Sequence, residues 1–340
     1  MRRHKHTFGV FIGRFQPPHR SHIEVMLEAL GHVDRLIVIF GSAKSARSVK
    51  NPFTVEERQR MVLDALDSQI GPKRVLFGSV RDHFYNENLW LAEVQREVLR
   101  LTKGNEDILL MGHQKDESSY YLRSFPRWDY RETPISSPLN ATDIRNGYFS
   151  GEKPSTDVLP KAVIAFLEAF SETREFIDLK EEFSYVQDYK KLWESAPFLP
   201  TFVTTDAVVV KSGYVLLIRR KQNPGRGKLA MPGGFLDTKQ TLLASCIREL
   251  KEETSIALTQ AQLEECLRKQ YTFDYPERSL RGRTITQVFH FDLGNGQLPK
   301  VEGQDDAESA FWMPISEVLG HPEWFFEDHH AIVEHFLLKN

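Results

Sequence analysis

Residues Gly13–Leu27 read GRFQPPHRSHIEVML, and the fold turns on how this stretch joins its neighbours. Just before it, Phe8–Ile12 (FGVFI) is a short apolar run with the length and the β-branched and aromatic content of a buried strand. Just after the loop, Ile23, Met26, Leu27 and Leu30 recur at helical spacing, which predicts a helix beginning near Ser21 or His22. A strand that passes through a short loop directly into a helix opens an α/β unit. His19 and His22 then stand at a helix N-terminus, where unpaired backbone N–H groups favour an anion.

The alternation continues outward. Arg35–Ser42 (RLIVIFGS), a helix from Thr54, Val75–Val80, a helix over Glu87–Leu101 and Asp107–Gly112 predict a doubly wound parallel sheet, with ligands beyond the carboxyl ends of its strands. A last helix, about Val158–Phe170, closes this unit, and the highly charged Ser171–Pro200 reads as a connecting helix. After Pro200 the texture turns strand-rich: Phe202–Val210, Tyr214–Arg219 and Thr284–Leu293 as strands, one strong helix over Leu242–Thr254, and helical stretches near Ile315 and Trp324. This predicts an α+β domain with a mixed sheet. We expect domains at residues 1–180 and 181–340, the second starting on the connecting helix.

Composition narrows the function classes. Across 340 residues, Lys+Arg 44 against Asp+Glu 47 gives a formal charge of -3, so the chain lacks the basic field of a nucleic-acid coat and must hold phosphate through local clusters. Cys246 and Cys266 show neither metal nor disulfide spacing, which fits a reducing compartment. The basic start MRRHKH is followed by no signal-peptide pattern, and no stretch approaches a membrane span. The expectation is a soluble cytoplasmic protein with no nucleic-acid or membrane partner, compatible with a homo-oligomer.

Two constellations carry chemistry. In the first, His19 and His22 lack a third ligand for zinc, and the loop has neither GxxxxGK[ST] nor GxGxxG. Phosphate binding explains its flanks better: Gly13, Arg14 and Phe15 lead into it, and a second strand end brings Gly41-Ser42-Ala43-Lys44 with Arg47 and Lys50. In the second, Glu249, Glu252 and Glu253 fall at i, i+3 and i+4 on one helix face. Such a run is either a solvated face or, because crowded carboxylates repel, a seat for a hard cation such as Mg²⁺ or Mn²⁺.

His19–His22 resembles the HxGH signature of the nucleotidylyltransferase superfamily, with Ser21 where the family has Gly. Asn140-Ala141-Thr142-Asp143-Ile144-Arg145 is similar to its second signature, and Gly41–Arg58 (GSAKSARSVKNPFTVEER) to the archaeal type of NMN adenylyltransferase. Gly234–Ile256 resembles the Nudix box, matching at Gly234, Arg248, Glu249, Leu250, Glu252, Glu253 and Ile256 but carrying Gln240 for its first Glu and Ser255 for its last Gly. Together these resemble the bifunctional NMN adenylyltransferase/Nudix hydrolase family.

That resemblance implies a Rossmann-like nucleotidylyltransferase domain followed by a Nudix domain. The first would join ATP and NMN into NAD, and the second would cleave ADP-ribose with Mg²⁺ or Mn²⁺. It implies that His19, His22 and Arg145 are catalytic, with Gly13, Arg14, Phe15, Lys44, Arg47, Asn51, Arg58, Trp90 and Thr142 contacting substrate. Trp90 has the alternative of core packing between Leu89 and Leu91, and Thr54-x-x-Glu57 reads as a capping box. In the second domain it implies Glu249, Glu252 and Glu253 as metal ligands and Arg281 and Arg283 as substrate contacts. Two rivals stand beside it: another phosphate acceptor such as phosphopantetheine for the first domain, and a non-catalytic ADP-ribose sensor for the second, which the neutral Gln240 favours.

Overall fold

The computed structural model describes residues 6–66, 74–112, 123–133 and 139–338, and the chain divides into two compact units, residues 1–180 and 181–340. In the first, β1 (His6–Gly13), α1 (Arg20–His32), β2 (Val33–Phe40), α2 (Val55–Leu66), β3 (Val75–Ser79), α3 (Glu87–Thr102), β4 (Ile108–Gly112) and β5 (Asp129–Glu132) follow one another. Helices α4 (Ala141–Ser150) and α5 (Lys161–Phe170) complete it. The five strands are parallel in the order β3-β2-β1-β4-β5. Strand order therefore reverses at β1, whose carboxyl end is the switch point where such sheets bind ligands.

The central strands are apolar on both faces because both faces are covered. Phe11, Val38, Phe40 and Met111 pack with Ile23, Met26, Ala29 and Leu30 of α1, while Val10, Ile12, Ile37, Ile39 and Leu110 meet Val94 and Val98 of α3. Each such side chain contributes about 1.5–3 kcal/mol by leaving water. The edge strand β5 (DYRE) is exposed throughout.

Helix α6 (Arg174–Lys191) runs through the 180/181 boundary. Its Phe176 packs in the first unit, 5.0 Å from Tyr148 and 5.7 Å from Phe149.

The second unit contains β6 (Phe202–Lys211), β7 (Tyr214–Arg220), β8 (Leu229–Ala230), β9 (Gly233–Phe235), α7 (Leu242–Thr254), α8 (Gln260–Glu265), β10 (Leu267–Phe273), β11 (Thr284–Asp292), β12 (Ala307–Pro314), α9 (Ile315–Gly320) and α10 (His329–Leu338). Its sheet runs β10-β11-β6-β7-β12, with β8 on β7 and β9 on β6. The β6–β11 pair is parallel and the others antiparallel, so the sheet is mixed. Cys246, Ile247 and Leu250 of α7 pack on Ala207, Val209, Leu216 and Phe289. Thr241 caps the start of α7, and Ser255 closes it with φ 50°, a left-handed position that glycine takes more readily. Among the described residues no helix is long and apolar enough to cross a membrane.

Candidate active sites

His19 is the N-cap of α1, in extended conformation, and is 5% exposed. Its backbone N–H donates to Nδ1 of His22 at 3.2 Å. Because Nδ1 accepts, a neutral His22 carries its proton on Nε2 and presents an N–H donor there. The two rings stack with centroids 3.6 Å apart, and Phe15 meets His22 edge-on at 4.9 Å. Phe15 adopts φ 52° and folds back over Gly13, where a Cβ would stand 2.8 Å from its ring, so glycine is required. Phe15 is thus a buried support under the histidines, 1% exposed.

The same loop is clamped from three later elements. Arg145 donates from Nη1 to the Gln16 carbonyl at 2.7 Å and from Nη2 to Thr142 Oγ1 at 3.1 Å. The buried Gln16 amide pairs both ways with the Phe53 backbone at 3.0 Å. Arg58, 1% exposed, donates to the carbonyls of Arg14 at 2.7 Å, Gly41 at 2.8 Å and Thr54 at 3.1 Å, tying the ends of β1 and β2 together. Burial lowers its pKa to about 10, against the pull of Asp82 and Glu56, and it stays charged at neutral pH.

Other expected site residues have partners within the fold. Arg58 is buried on backbone carbonyls, and Arg145 on the Gln16 carbonyl and the Thr142 hydroxyl. Arg47 grips Glu57 bidentately at 2.7 and 2.8 Å and lies over Phe170. The Thr54/Glu57 capping box is present, Thr54 N–H to Glu57 at 2.8 Å and Glu57 N–H to Thr54 Oγ1 at 3.2 Å. Burial raises the Glu57 pKa, and Arg47 and Thr54 outweigh it, leaving the value lowered. Thr142 gives its backbone N–H to the Asn140 side chain, so its hydroxyl proton is what remains for a ligand. Trp90 packs beside the Val94 and Val98 cluster, 6.4 Å from Phe125. Arg14 and Lys44 are exposed and, among the described residues, unpaired. Asn51 Oδ1 is buried without a hydrogen-bond partner among the described residues.

In the second unit, the three glutamates of α7 share a face but do not converge, and among the described residues no three His, Cys, Asp or Glu side chains form a metal-binding group. Each is engaged elsewhere: Arg248 donates to Glu252 at 2.5 Å, to Glu249 at 2.7 Å and to Gln240 Oε1 at 3.1 Å, while Glu253 accepts from Gly233 N–H at 2.8 Å. Gln240 thus serves Arg248 rather than standing as a ligand.

Gly234 lets the backbone approach: a Cβ there would lie 2.6 Å from the Glu249 carboxyl carbon. Burial raises the Glu249 carboxyl, against Arg248, and burial pushes Glu253 to about 8, against the Gly233 N–H and with the Glu249 charge adding to it. Crowded, desolvated carboxylates with a guanidinium standing in for positive charge are a donor set that fits a hard divalent cation.

Behind them lies a buried layer absent from the sequence reading. Asp206 accepts from Thr286 Oγ1, and burial lifts its carboxyl to about 6, opposed first by Arg278. Arg278 pairs bidentately with Asp328 at 2.9 Å, both almost fully buried. A lone carboxylate inside the apolar run of β6 was the available signal for Asp206. Arg283 donates to the Asp274 carbonyl at 2.5 Å, and Arg281 lies 4.8 Å over the Phe235 ring.

A loop carrying two stacked histidines at the switch point of a parallel sheet, and an acidic helix beneath a glycine pair in a mixed sheet, define a nucleotidylyltransferase-type unit and a Nudix-type unit. Accordingly, residues 10–146 match the cytidylyltransferase-like family and residues 200–336 the NUDIX domain. The chain is 35% identical over 181 residues to the nicotinamide/nicotinic acid mononucleotide adenylyltransferase of Acinetobacter baylyi, spanning 53% of this chain and 95% of that one. It is 38% identical to the bifunctional NMN adenylyltransferase/ADP ribose pyrophosphatase of Francisella tularensis, with a TM-score of 0.94 over 98% of this chain and 99% of that one. The same description with AMP and a Mn ion bound gives 37% identity and a TM-score of 0.93, covering 98% of each chain. The chain belongs to the bifunctional NMN adenylyltransferase/ADP-ribose pyrophosphatase family.

Proposed function

We propose that the first unit transfers the adenylyl group of ATP to NMN, and that the second hydrolyses ADP-ribose to AMP and ribose 5-phosphate. The observation that carries the first reaction is the stacked His19/His22 pair at the start of α1, held on a loop that Arg58, Arg145 and Gln16 fix in place. An NMN phosphate oxygen attacks the α-phosphorus of ATP in line, one P–O bond forms, and the bond to the departing pyrophosphate breaks. His22 Nε2–H and the His19 ring donate to the phosphates as charge builds, and exposed Arg14 and Lys44 supply positive charge. The clamp's arginines act through the loop, preorganising it without touching substrate.

In the second unit Glu249 and Glu252, with Glu253 behind them, would hold a divalent cation, Mg²⁺ or Mn²⁺, taking over the charge that Arg248 now neutralises. Bound there, it would polarise the diphosphate and activate water for attack. Gln240 anchors Arg248 beside these carboxylates, and Gly233 fixes the Glu253 carboxylate. The test is one preparation assayed for both reactions. Glu252→Gln should abolish ADP-ribose cleavage and leave NAD synthesis unchanged; loss of both, or of neither, would refute the assignment.

A further inference from the structure

The first unit carries a cavity that its proposed reaction does not use. Its volume is about 480 Å³, and it lies between α3 and the turn that leads into β5, bordered by Arg96, Arg127 and Trp128. The buried Val98, Ile108 and Phe125 form its apolar floor. That size falls within the roughly 300–1,000 Å³ of small-molecule sites. Ile108 opens β4 and pairs in register with Phe8, which stands five residues before Gly13 on β1, about 16 Å along a strand. The cavity therefore sits at the amino ends of the strands, whereas the histidine loop lies beyond their carboxyl ends.

Its wall suits a flat ring beside a negative charge. Trp128 N–H donates to the Phe125 carbonyl at 3.0 Å, closing a four-residue turn with Pro126 at its second position, where proline's fixed φ fits. Across this turn the Phe125 and Trp128 rings stack, with centroids 4.2 Å apart and 9° between their planes. Phe125 is buried and Trp128 half-buried, so a ligand ring meets the indole on the face that Phe125 leaves open. Of the three charged residues on the cavity, Arg96 on α3 and Arg127 on the turn are cationic and Glu106 is anionic. Neither arginine has a hydrogen bond or ion pair among the described residues, whereas nearby Arg100 is engaged by Glu97 at 2.8 and 2.9 Å. Two unpaired guanidiniums from separate elements on one cavity can share a phosphate, whose oxygens match their planar fork.

We propose that this cavity binds a purine nucleoside monophosphate, with its base against Trp128 and its phosphate on Arg96 and Arg127. Stacking rewards ring area, so the indole favours a bicyclic base over a single ring. Glu106 supplies an acceptor for an amino group on that base. The volume lies in the lower half of the small-molecule range, which suits one nucleotide. The site is separate from both reaction sites and depends on neither reaction.

The test uses the full chain and 8-azidoadenosine 5′-monophosphate as a photoaffinity probe. Labelled peptides are mapped by mass spectrometry, so label at this cavity is counted apart from label at the histidine loop or the α7 carboxylates. We expect label on peptides carrying residues 95–102 or 125–128, with AMP competing more strongly than CMP or ribose 5-phosphate. Arg96→Glu combined with Arg127→Glu, both at exposed positions, should lower this label about tenfold, while NAD synthesis without added AMP and the unfolding temperature stay as in wild type. Trp128→Leu should lower the label similarly, and Trp128→Phe should restore most of it. No label on these peptides up to millimolar probe, or label undiminished by the charge reversals and by Trp128→Leu, would overturn the site. Ribose 5-phosphate competing as well as AMP would leave a bare phosphate site and overturn the nucleotide assignment.

Discussion

Restoring a carboxylate at position 240 tests how the second site handles charge. Gln240 Oε1 takes one hydrogen bond from Arg248 at 3.1 Å, and the same guanidinium reaches Glu249 at 2.7 Å. Two such bonds across one guanidinium fork put residue 240 within about 8 Å of a cation held at Glu249; a unit negative charge there attracts a divalent ion by roughly 1.4 kcal/mol at an effective dielectric near 60. Gln240→Glu also turns a neutral hydrogen bond into a charge-assisted one, drawing Arg248 away from the carboxylates that a metal needs. Repulsion among four carboxylates offsets part of this, leaving about 1 kcal/mol, or roughly a fivefold lower Mg²⁺ concentration at half-maximal rate. The assay is ADP-ribose hydrolysis titrated with Mg²⁺, with Arg248→Gln as a companion in which the difference should shrink only by the part that runs through the guanidinium. An unchanged or higher Mg²⁺ requirement in Gln240→Glu would refute the reasoning.

Three further outcomes follow from the geometry. His19→Ala and His22→Ala should each lower NAD synthesis about 10²- to 10³-fold, the scale for losing one donor to developing charge, and near-normal turnover in both would remove their assigned role. Arg58→Met removes the side-chain donor from the Arg14 and Gly41 carbonyls and should destabilise the first unit by about 3 kcal/mol, read as a lowered first melting transition; Arg58→Lys should rescue little, since an ammonium cannot reproduce the fork. For Asp206 the sign is that of a buried acid raised from 3.8 to about 6: its protonated form is favoured in the fold, so stability is greatest at low pH and declines as pH rises toward 6. Asp206→Asn should flatten that decline by about 2–3 kcal/mol, and parallel stability–pH curves for the two proteins would contradict it.

Much of the architecture was legible because the signal was strong where the core is. Helix α7 has the predicted bounds, Leu242–Thr254, since Cys246, Ile247 and Leu250 recur at helical spacing toward the sheet. Strands β5 and β10 were missed because DYRE and LRKQYTF lie on edges and are mostly exposed, so no apolar alternation marks them. Strands β8 and β9 are too short to carry a period. The histidine pair was readable from its place between a strand and a helix. The arginines were not: a sequence does not distinguish a guanidinium aimed at phosphate from one aimed at the carbonyl of Gln16 or Gly41. Those carbonyls become partners only after the chain has closed on itself.

The order in which the chain is made bears on its first site. Strand β1 emerges first yet ends up at the centre of the sheet, pairing with β2 on one side and with β4, about a hundred residues later, on the other. Thr7 and His6 wait for Asp107, 100 and 101 residues on, and the Gln16 carbonyl waits for Arg145, 129 residues on. At roughly 5–20 residues per second, a nascent chain spends some 5–20 s with β1 open along one edge. Its histidine loop is present during that interval but not yet held, so catalytic competence is among the last properties this unit acquires on the ribosome.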